Sequence, residues 1–256
     1  MFETVLLYTA AFVGALHLFS AVVLRYAMRF SAKCTPMPAS LDDLPEAVAA
    51  VIAPRIPELN ILGFQNLGTY DCGSLTSGTR SYAAYFYNPA TCDSASVTAM
   101  ATSEGVASYI EFSTRFATGL VVETNTNGLA PLTPDNNAHR VFRFPNFSSA
   151  DVLYGVHRQL TEKYAPGLWA EAEPKGEELS RFVHVIENFG PRHTRMGYLV
   201  FAGDEQTYRL TWKGAFLMAS RGLWPVSLVR RISQRHAMQA ELESLEVRGV
   251  ATLQKA

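Results

Sequence analysis

The sequence lacks most of the residue patterns that mark recognisable enzyme classes. It has only three cysteines, at positions 34, 72 and 92, and no Cys-x-x-Cys pair, so we predict no metal site. It also has no glycine-rich phosphate loop and no internal repeat. Its formal net charge is -1, and a chain that is not basic overall gives no reason to expect a nucleic-acid partner.

Charge is also missing from one long stretch near the start of the chain. Residues 4–24, TVLLYTAAFVGALHLFSAVVL, contain no charged side chain. As an α-helix this stretch would be about 31 Å long, which matches the roughly 30 Å thickness of the hydrocarbon core of a bilayer. We therefore predict a transmembrane helix that anchors the rest of the chain.

Small residues and one histidine share a face of this predicted helix. Ala10, Gly14, His17 and Ala21 follow one another at spacings of four, three and four. Small residues allow close helix packing in lipid, so this face favours contact with other membrane subunits or with a second copy of the chain. Two alternatives remain: a lone anchor whose small residues have no role, and His17 as the axial ligand of a haem or chlorin. We otherwise predict no cofactor.

The charges beside the predicted span indicate its orientation. Glu3 precedes it, whereas Arg25, Arg29 and Lys33 follow within ten residues. Because basic residues mark the cytoplasmic side, we predict a single-pass protein of the cell membrane with its amino terminus outside and its remaining domain in the cytoplasm. Pairing of Cys72 with Cys92 would require an oxidising compartment and would reverse this orientation. Cys34, beside the membrane, is a candidate for S-acylation, although a reduced thiol is the simpler expectation.

The remaining sequence has enough apolar residues for one folded domain of about 200 residues, since 48% of the whole chain is hydrophobic and 18% is charged. We divide the chain into an anchor at 1–30, a linker and helix at 31–58, an α+β domain at 59–211 and a basic amphipathic helical segment at 212–256. Short β-rich runs between residues 61 and 125 predict an antiparallel meander.

Helical and strand patterns alternate after this meander. We expect a mainly antiparallel sheet with helices packed on one side. Capping residues and apolar periodicity predict helices at 40–52, 148–164 and 177–188, with Gly190 and Pro191 ending the last of these. Alternating apolar residues predict further strands at 139–145, 197–203 and 207–212.

Aromatic and basic residues are mixed in the segment from residue 212 to residue 236, a combination that suits a lipid headgroup interface. The residues that carry this pattern are Trp212, Lys213, Arg221, Trp224, Arg230 and Arg231. The segment is too short and too charged to span a bilayer, and Gly222 and Pro225 should break its helix near the middle. An ordinary amphipathic helix that covers the sheet explains the pattern equally well.

One local cluster offers side chains for catalysis: His184, Glu187, Arg192, His193 and Arg195. His184 and Glu187 lie three residues apart on a predicted helix, so an acid–base pair is conceivable, but this spacing is common by chance. We therefore predict a non-catalytic accessory, assembly or scaffolding subunit of a larger membrane complex. The alternative is a membrane-tethered enzyme acting on a lipid or amphiphilic substrate, with His184, Glu187 and His193 as its candidate catalytic residues.

Overall fold

The computed structural model describes residues 2–33, 35–128, 138–173, 176–203 and 206–245. Its helices are α1 (Phe2–Ala27), α2 (Glu46–Ile52), α3 (Arg55–Ile61), α4 (Ala150–Tyr164), α5 (Glu178–Glu187), α6 (Phe189–Arg195), α7 (Trp212–Gly222) and α8 (Val226–Glu243). Its strands are β1 (Arg29–Ser31), β2 (Met37–Ala39), β3 (Gln65–Asp71), β4 (Arg80–Asn88), β5 (Asp93–Thr102), β6 (Gly105–Arg115), β7 (Val121–Asn125), β8 (His139–Arg143), β9 (Leu199–Ala202) and β10 (Thr207–Leu210).

The described residues form two compact units, each assembled from separated stretches of the chain. The anchor unit contains residues 2–33, 186–203 and 206–236. The sheet unit contains residues 35–128, 138–173, 176–185 and 237–245. Each unit has its own β-sheet and its own hydrophobic cluster.

Helix α1 is a candidate membrane span. Its segment Glu3–Ala27 is 25 residues long and has a mean hydropathy of 1.9, which is long and apolar enough to cross a bilayer. Most of its large apolar side chains are exposed, among them Leu7, Phe12 and Phe19. This helix contains the whole of the charge-free stretch that the sequence singled out.

The sheet unit is built on seven strands in the order β2-β3-β4-β5-β6-β7-β8. Neighbouring strands from β2 to β7 are antiparallel, which confirms the predicted meander. The strand predicted at 139–145 forms as β8, but it runs parallel to β7. Parallel neighbours cannot be joined by a tight two-residue turn, so β7 and β8 do not form a hairpin.

Side-chain alternation gives this sheet one apolar face and one polar face. The apolar face carries Phe86, Val97, Phe112 and Val122, which pack in one core with α2, α3 and α4. The polar face carries a row of residues that are partners across successive strands: Tyr85, Ser96, Glu111, Asn125 and Arg143. The register therefore brings polar groups from five strands onto one surface.

Helices contact both faces of this sheet, so the prediction that they pack on one side was wrong. Phe182 of α5 packs on Tyr85 of β4, with ring centroids 5.2 Å apart, and on Tyr70 of β3 at 6.5 Å. Tyr85 projects from the face opposite Phe86, which belongs to the apolar core. The prediction failed because β4 is almost completely buried on both of its faces, so that each face of the sheet is covered there.

The predicted helices of the sheet unit needed one correction. The helix predicted at 40–52 is divided into a 3-10 turn at Leu41–Asp43 and α2, with Pro45 between them. Proline has no amide hydrogen to donate, so it interrupts the helix. The helices predicted at 148–164 and 177–188 form as α4 and α5.

The anchor unit has a separate three-stranded sheet in the order β1-β10-β9, which the sequence did not separate from the main one. Gly190 and Pro191, predicted to end a helix, instead lie in the first turn of α6, where proline is tolerated because no amide partner is lost. A Cβ atom on Gly190 would lie 2.0 Å from the ring of Tyr208, so glycine is required where α6 crosses β10.

Candidate functional site

The contact between α1 and α7 is the main feature of the anchor unit. The guanidinium of Arg25 donates a hydrogen bond to the carbonyl of Leu210 at 2.5 Å and lies 5.0 Å from the ring of Trp212. Ala21 is fully buried in one cluster with Ala215 and Ala219 of α7. Helix α7 therefore starts beside Arg25 and runs back along α1 toward its amino terminus.

The predicted helix-packing residues fall into two groups in this arrangement. Ala21 and His17 are buried or half-buried on the side that carries α7, whereas Ala10 and Gly14 are exposed. A Cβ atom on Gly14 would meet no other atom of the described chain within 4 Å. Part of the small-residue face is thus used inside the protein, and part of it is open.

The geometry of His17 bears on its possible role as a cofactor ligand. Its Nδ1 lies 2.8 Å from the carbonyl of Val13, so this nitrogen carries the hydrogen and donates it to the backbone. Nε2, the nitrogen left to bind a haem iron, is buried and has no hydrogen-bond partner within the described chain. A macrocycle would have to displace neighbouring protein atoms to reach it.

The predicted membrane-surface residues lie on α7, α8 and the turn between them. Trp212 and Trp224 are exposed, and Arg221 and Arg230 are half-buried. The side chain of Arg231 lies outside the described part of the structure, as does Cys34. Lys213 is exposed, yet its Nζ donates a hydrogen bond to the carbonyl of Met196 at 3.0 Å.

The residues considered for catalysis are divided between the two units. His184 belongs to the sheet unit, whereas Glu187 and His193 belong to the anchor unit. His184 and Glu187 are exposed on α5. His193 is buried in α6, where its Nδ1 donates to the carbonyl of Phe189 at 2.7 Å and burial lowers the pKa of its ring. This environment is that of a core histidine.

A second polar site, which the sequence analysis missed, lies on the polar face of the main sheet. Glu111 of β6 and Glu123 of β7 hydrogen-bond to each other. Glu123 also accepts a hydrogen bond from the amide of Asn125 at 2.7 Å, and its second oxygen lies 2.9 Å from Nε2 of His139. The side chains of Glu123 and His139 are 15% and 27% exposed, so this site is recessed but open to solvent.

The pKa values of the two carboxyl groups are shifted in opposite directions. Burial raises the pKa of Glu111 well above its usual value, and the neighbouring Glu123 raises it further, although Arg143 opposes both effects. Burial alone would raise the pKa of Glu123 as well, but the hydrogen bond and charge of His139, with smaller contributions from Glu111 and Arg143, lower it. Glu111 is therefore the member of the pair that keeps its proton to the higher pH, and in that state it donates to the Glu123 carboxylate.

A further cluster of polar side chains is buried between α4 and the apolar face of the sheet. Asp93 is fully buried and accepts hydrogen bonds from Thr114 at 2.5 Å, from Tyr154 at 2.7 Å and from Arg158 at 3.0 Å. These bonds connect β5 and β6 to α4. Because the carboxylate is enclosed and fully partnered, we interpret the cluster as a device that holds α4 in place.

His157 completes this cluster as a neutral side chain. Nε2 lies 2.9 Å from the Thr114 hydroxyl and Nδ1 lies 3.0 Å from the Thr124 hydroxyl. Thr114 donates its only hydroxyl hydrogen to Asp93, so Nε2 carries the ring hydrogen and Nδ1 accepts from Thr124. Burial lowers the pKa of His157 to about 4, so the ring stays uncharged at neutral pH.

Comparison with known proteins gives no further guidance, because no family model, curated protein or solved structure matches this chain. The sequence did contain one signal for the carboxyl pair. Glutamate is uncommon inside strands, yet Glu111 stands between Ile110 and Phe112, and Glu123 follows two valines. An acidic residue within a short β-rich run, rather than a histidine in a helix, was the useful indicator.

Proposed function

We propose that this protein is a single-span membrane-anchored accessory, assembly or scaffolding subunit of a larger membrane complex. Its amino terminus lies outside the cell, and its sheet unit lies in the cytoplasm. The partner is another membrane subunit or a second copy of the chain, which contacts the open half of α1.

The division of α1 into a packed half and an open half supports this proposal most directly. Ala21 packs against α7 and His17 is half-buried, but Ala10 and Gly14 remain exposed on the same side of α1. In lipid no hydrophobic force drives helices together, so association depends on close backbone approach at small residues. Ala10 and Gly14 permit that approach at one turn's spacing.

Substitution at Gly14 tests the proposed contact. We would extract the Gly14→Leu variant from its native membrane in a gentle detergent and determine its size and its comigrating proteins. Ala15→Leu is the matched control, because Ala15 is also exposed but points away from the small-residue face. We expect the unaltered chain and the control to migrate in a stoichiometric complex that Gly14→Leu disrupts. A lone monomer in all three samples would reject the proposal.

The proposed orientation follows from Arg25, Arg29 and Lys33 and has its own test. In a background without native cysteines, Glu3→Cys should react in intact cells with a maleimide that cannot cross membranes. Ser103→Cys, at the exposed tip between β5 and β6, should react only after the cells are permeabilised. Labelling of Ser103→Cys alone in intact cells would show that the orientation is the opposite of the one proposed.

The carboxyl pair supports a second candidate function, that of a membrane-tethered enzyme acting on a lipid or other amphiphilic substrate. Glu111 offers a proton and Glu123 offers a carboxylate, and two carboxyl groups in different protonation states suit general acid and base roles. The detergent-extracted protein would be assayed against phospholipids and acyl esters. Turnover that is lost in Glu123→Gln but retained in Glu104→Gln, on the exposed β5–β6 turn, would favour the enzyme. Equal turnover in both variants would reject this second candidate function.

A further inference from the structure

The turn between α7 and α8 and the helical positions beside it expose several large apolar side chains. Trp224, in the turn itself, is 58% exposed, and Val229, in the first turn of α8, is 66% exposed. The other exposed large apolar residues of this hairpin are Trp212, Phe216, Val226, Leu228 and Ile232. Side chains of this kind at a helical turn need an apolar environment that water does not provide.

The position of α7 along α1 determines how deep this turn would lie in a bilayer that α1 spans. Helix α7 starts at Trp212, beside Arg25, and Ala21 of α1 lies in one cluster with its Ala215 and Ala219. It is 11 residues long, which corresponds to about 16 Å of rise along α1. This distance is roughly half the thickness of the hydrocarbon core, so a bilayer spanned by α1 also surrounds α7 up to its last turn.

The two charged groups of α7 are compatible with that depth. Lys213, at the start of α7, is bonded to the carbonyl of Met196 and lies over the ring of Tyr198 at 4.7 Å. Arg221, near the end of α7, is half-buried and its Nη1 is shielded from solvent. The guanidinium is thus directed toward protein, as is usual for an ionisable group at membrane depth.

The backbone of the turn also meets the requirement that lipid imposes on exposed polar groups. The amide of Leu223 donates to the carbonyl of Ala219 at 3.0 Å, and the amide of Ser227 donates to the carbonyl of Leu223 at 2.9 Å. The carbonyl of Pro225 accepts from Leu228 and Val229. Helical structure on both sides of a short turn leaves few backbone groups to be hydrated.

We propose that α7 and the first turns of α8 form a re-entrant hairpin, which enters and leaves the bilayer from the cytoplasmic side. The occupant of its exposed apolar surface is lipid: acyl chains surround Trp224, Val226 and Val229, while Trp212 lies near the headgroups. This inference rests on the proposed function, because it requires α1 to span the membrane.

The three tryptophans of the chain provide the test. Trp169, in the sheet unit, is the water-exposed reference, Trp212 marks the start of α7, and Trp224 marks the turn. Three full-length variants, each keeping one tryptophan and carrying phenylalanine at the other two positions, would be reconstituted in phosphatidylcholine vesicles with a minority of phosphatidylglycerol. The acyl chains would carry bromine either near the headgroup or near the terminal methyl group.

We expect deep bromine to quench Trp224 several-fold more strongly than Trp169, and shallow bromine to act most strongly on Trp212. Val229→Arg, which places a charge on the lipid-facing surface, should reduce the deep quenching of Trp224 without the loss of a native tryptophan. Phe12→Trp in a chain without other tryptophans reports on α1 separately. Deep quenching of Phe12→Trp without quenching of Trp224 would reject the hairpin alone, and quenching of neither would reject the membrane anchor as well.

Discussion

The two units of this protein differ in where their apolar side chains lie. In the sheet unit, Phe64, Phe86, Phe112 and Phe144 are almost fully buried in one core. In the anchor unit, α1, α7 and α8 carry most of the exposed large apolar side chains of the described chain. A folded domain that buries its apolar residues is stable in water, whereas a surface of this kind requires lipid or a partner.

The two units also differ in how their helices are packed. The small cluster of the anchor unit is built around Ala21, Ala215 and Ala219, which bring α1 and α7 close together without a large apolar core. Close packing of small residues is the way helices associate in lipid. The larger core of the sheet unit depends on water being excluded from it.

Two phenylalanines, one in each unit, give the largest expected difference. Phe112→Ala should destabilise the sheet unit by about 3 to 5 kcal/mol, because it removes a fully buried ring and leaves a cavity. Phe12→Ala, on the exposed surface of α1, should change the free energy of unfolding by about 0.5 kcal/mol or less. The measurement is denaturant unfolding in a fixed detergent, followed by circular dichroism. Similar losses for both variants would show that α1 is packed within the protein.

His157, which lies in the sheet unit, gives the next largest expected effect on the free energy of unfolding. Its pKa is about 4 in the folded protein, below the value of about 6.5 in the unfolded chain, so the unfolded chain binds the proton first as the pH falls. The contribution of His157 to stability is therefore intact above pH 6.5 and is lost between about pH 6.5 and pH 4. The loss is about 3 kcal/mol at most.

Denaturant unfolding at several pH values checks this expectation. Acidic side chains also titrate near pH 4, so the comparison is made with His157→Gln, which has no ionisable group at that position. The variant should start with lower stability at pH 7, since it disturbs the bonds to Thr114 and Thr124, but should lose less of it on acidification. Equal pH dependence in the two proteins would mean that folding does not lower the pKa of His157.

The elements that could be predicted from the sequence are those that depend on local pattern. The α1 helix follows from one uncharged run, and the β3–β7 meander follows from alternating residues between turn signals. The parallel placement of β8 and the separation of β9 and β10 into another sheet depend on how the connections cross. Such crossings are not encoded in the pattern of any single segment.

The carboxyl pair escaped sequence prediction for a related reason. Glu111 and Glu123 lie twelve positions apart, and their contact depends on the register of β6 against β7, in which Glu111 is the partner of Asn125. A register shift of one residue would move either side chain to the apolar face. The candidate cluster at His184, Glu187 and His193 illustrates the converse, because nearness in sequence did not place these residues in one unit.

Two glycines allow buried and exposed positions to be compared within the anchor unit. A Cβ atom on Gly214 would lie 2.2 Å from the backbone carbonyl oxygen of Tyr198, whereas one on Gly14 would meet nothing within 4 Å. Gly214→Ala should therefore cost about 1 to 3 kcal/mol through overpacking, and Gly14→Ala should cost nothing measurable. Thermal unfolding in detergent distinguishes them. A strong effect of Gly14→Ala on the isolated chain would indicate that the exposed half of α1 folds against the protein itself.

The smallest expected effect concerns the carboxyl pair, the open polar site of an otherwise well-buried unit. Folding raises the pKa of Glu111. Its contribution to stability is therefore fully present below the pKa of the unfolded chain and is lost as the pH rises toward the pKa of the folded protein. Glu111→Gln removes that loss and should leave stability unchanged at pH 4 but raise it by about 1 kcal/mol or less at pH 7. Glu123→Gln should act in the opposite direction, because the pKa of Glu123 is lowered and its carboxylate accepts from Asn125. Denaturant unfolding of both variants at the two pH values measures these changes, and changes of equal size and sign at pH 7 would show that the two carboxyl groups do not differ in protonation state.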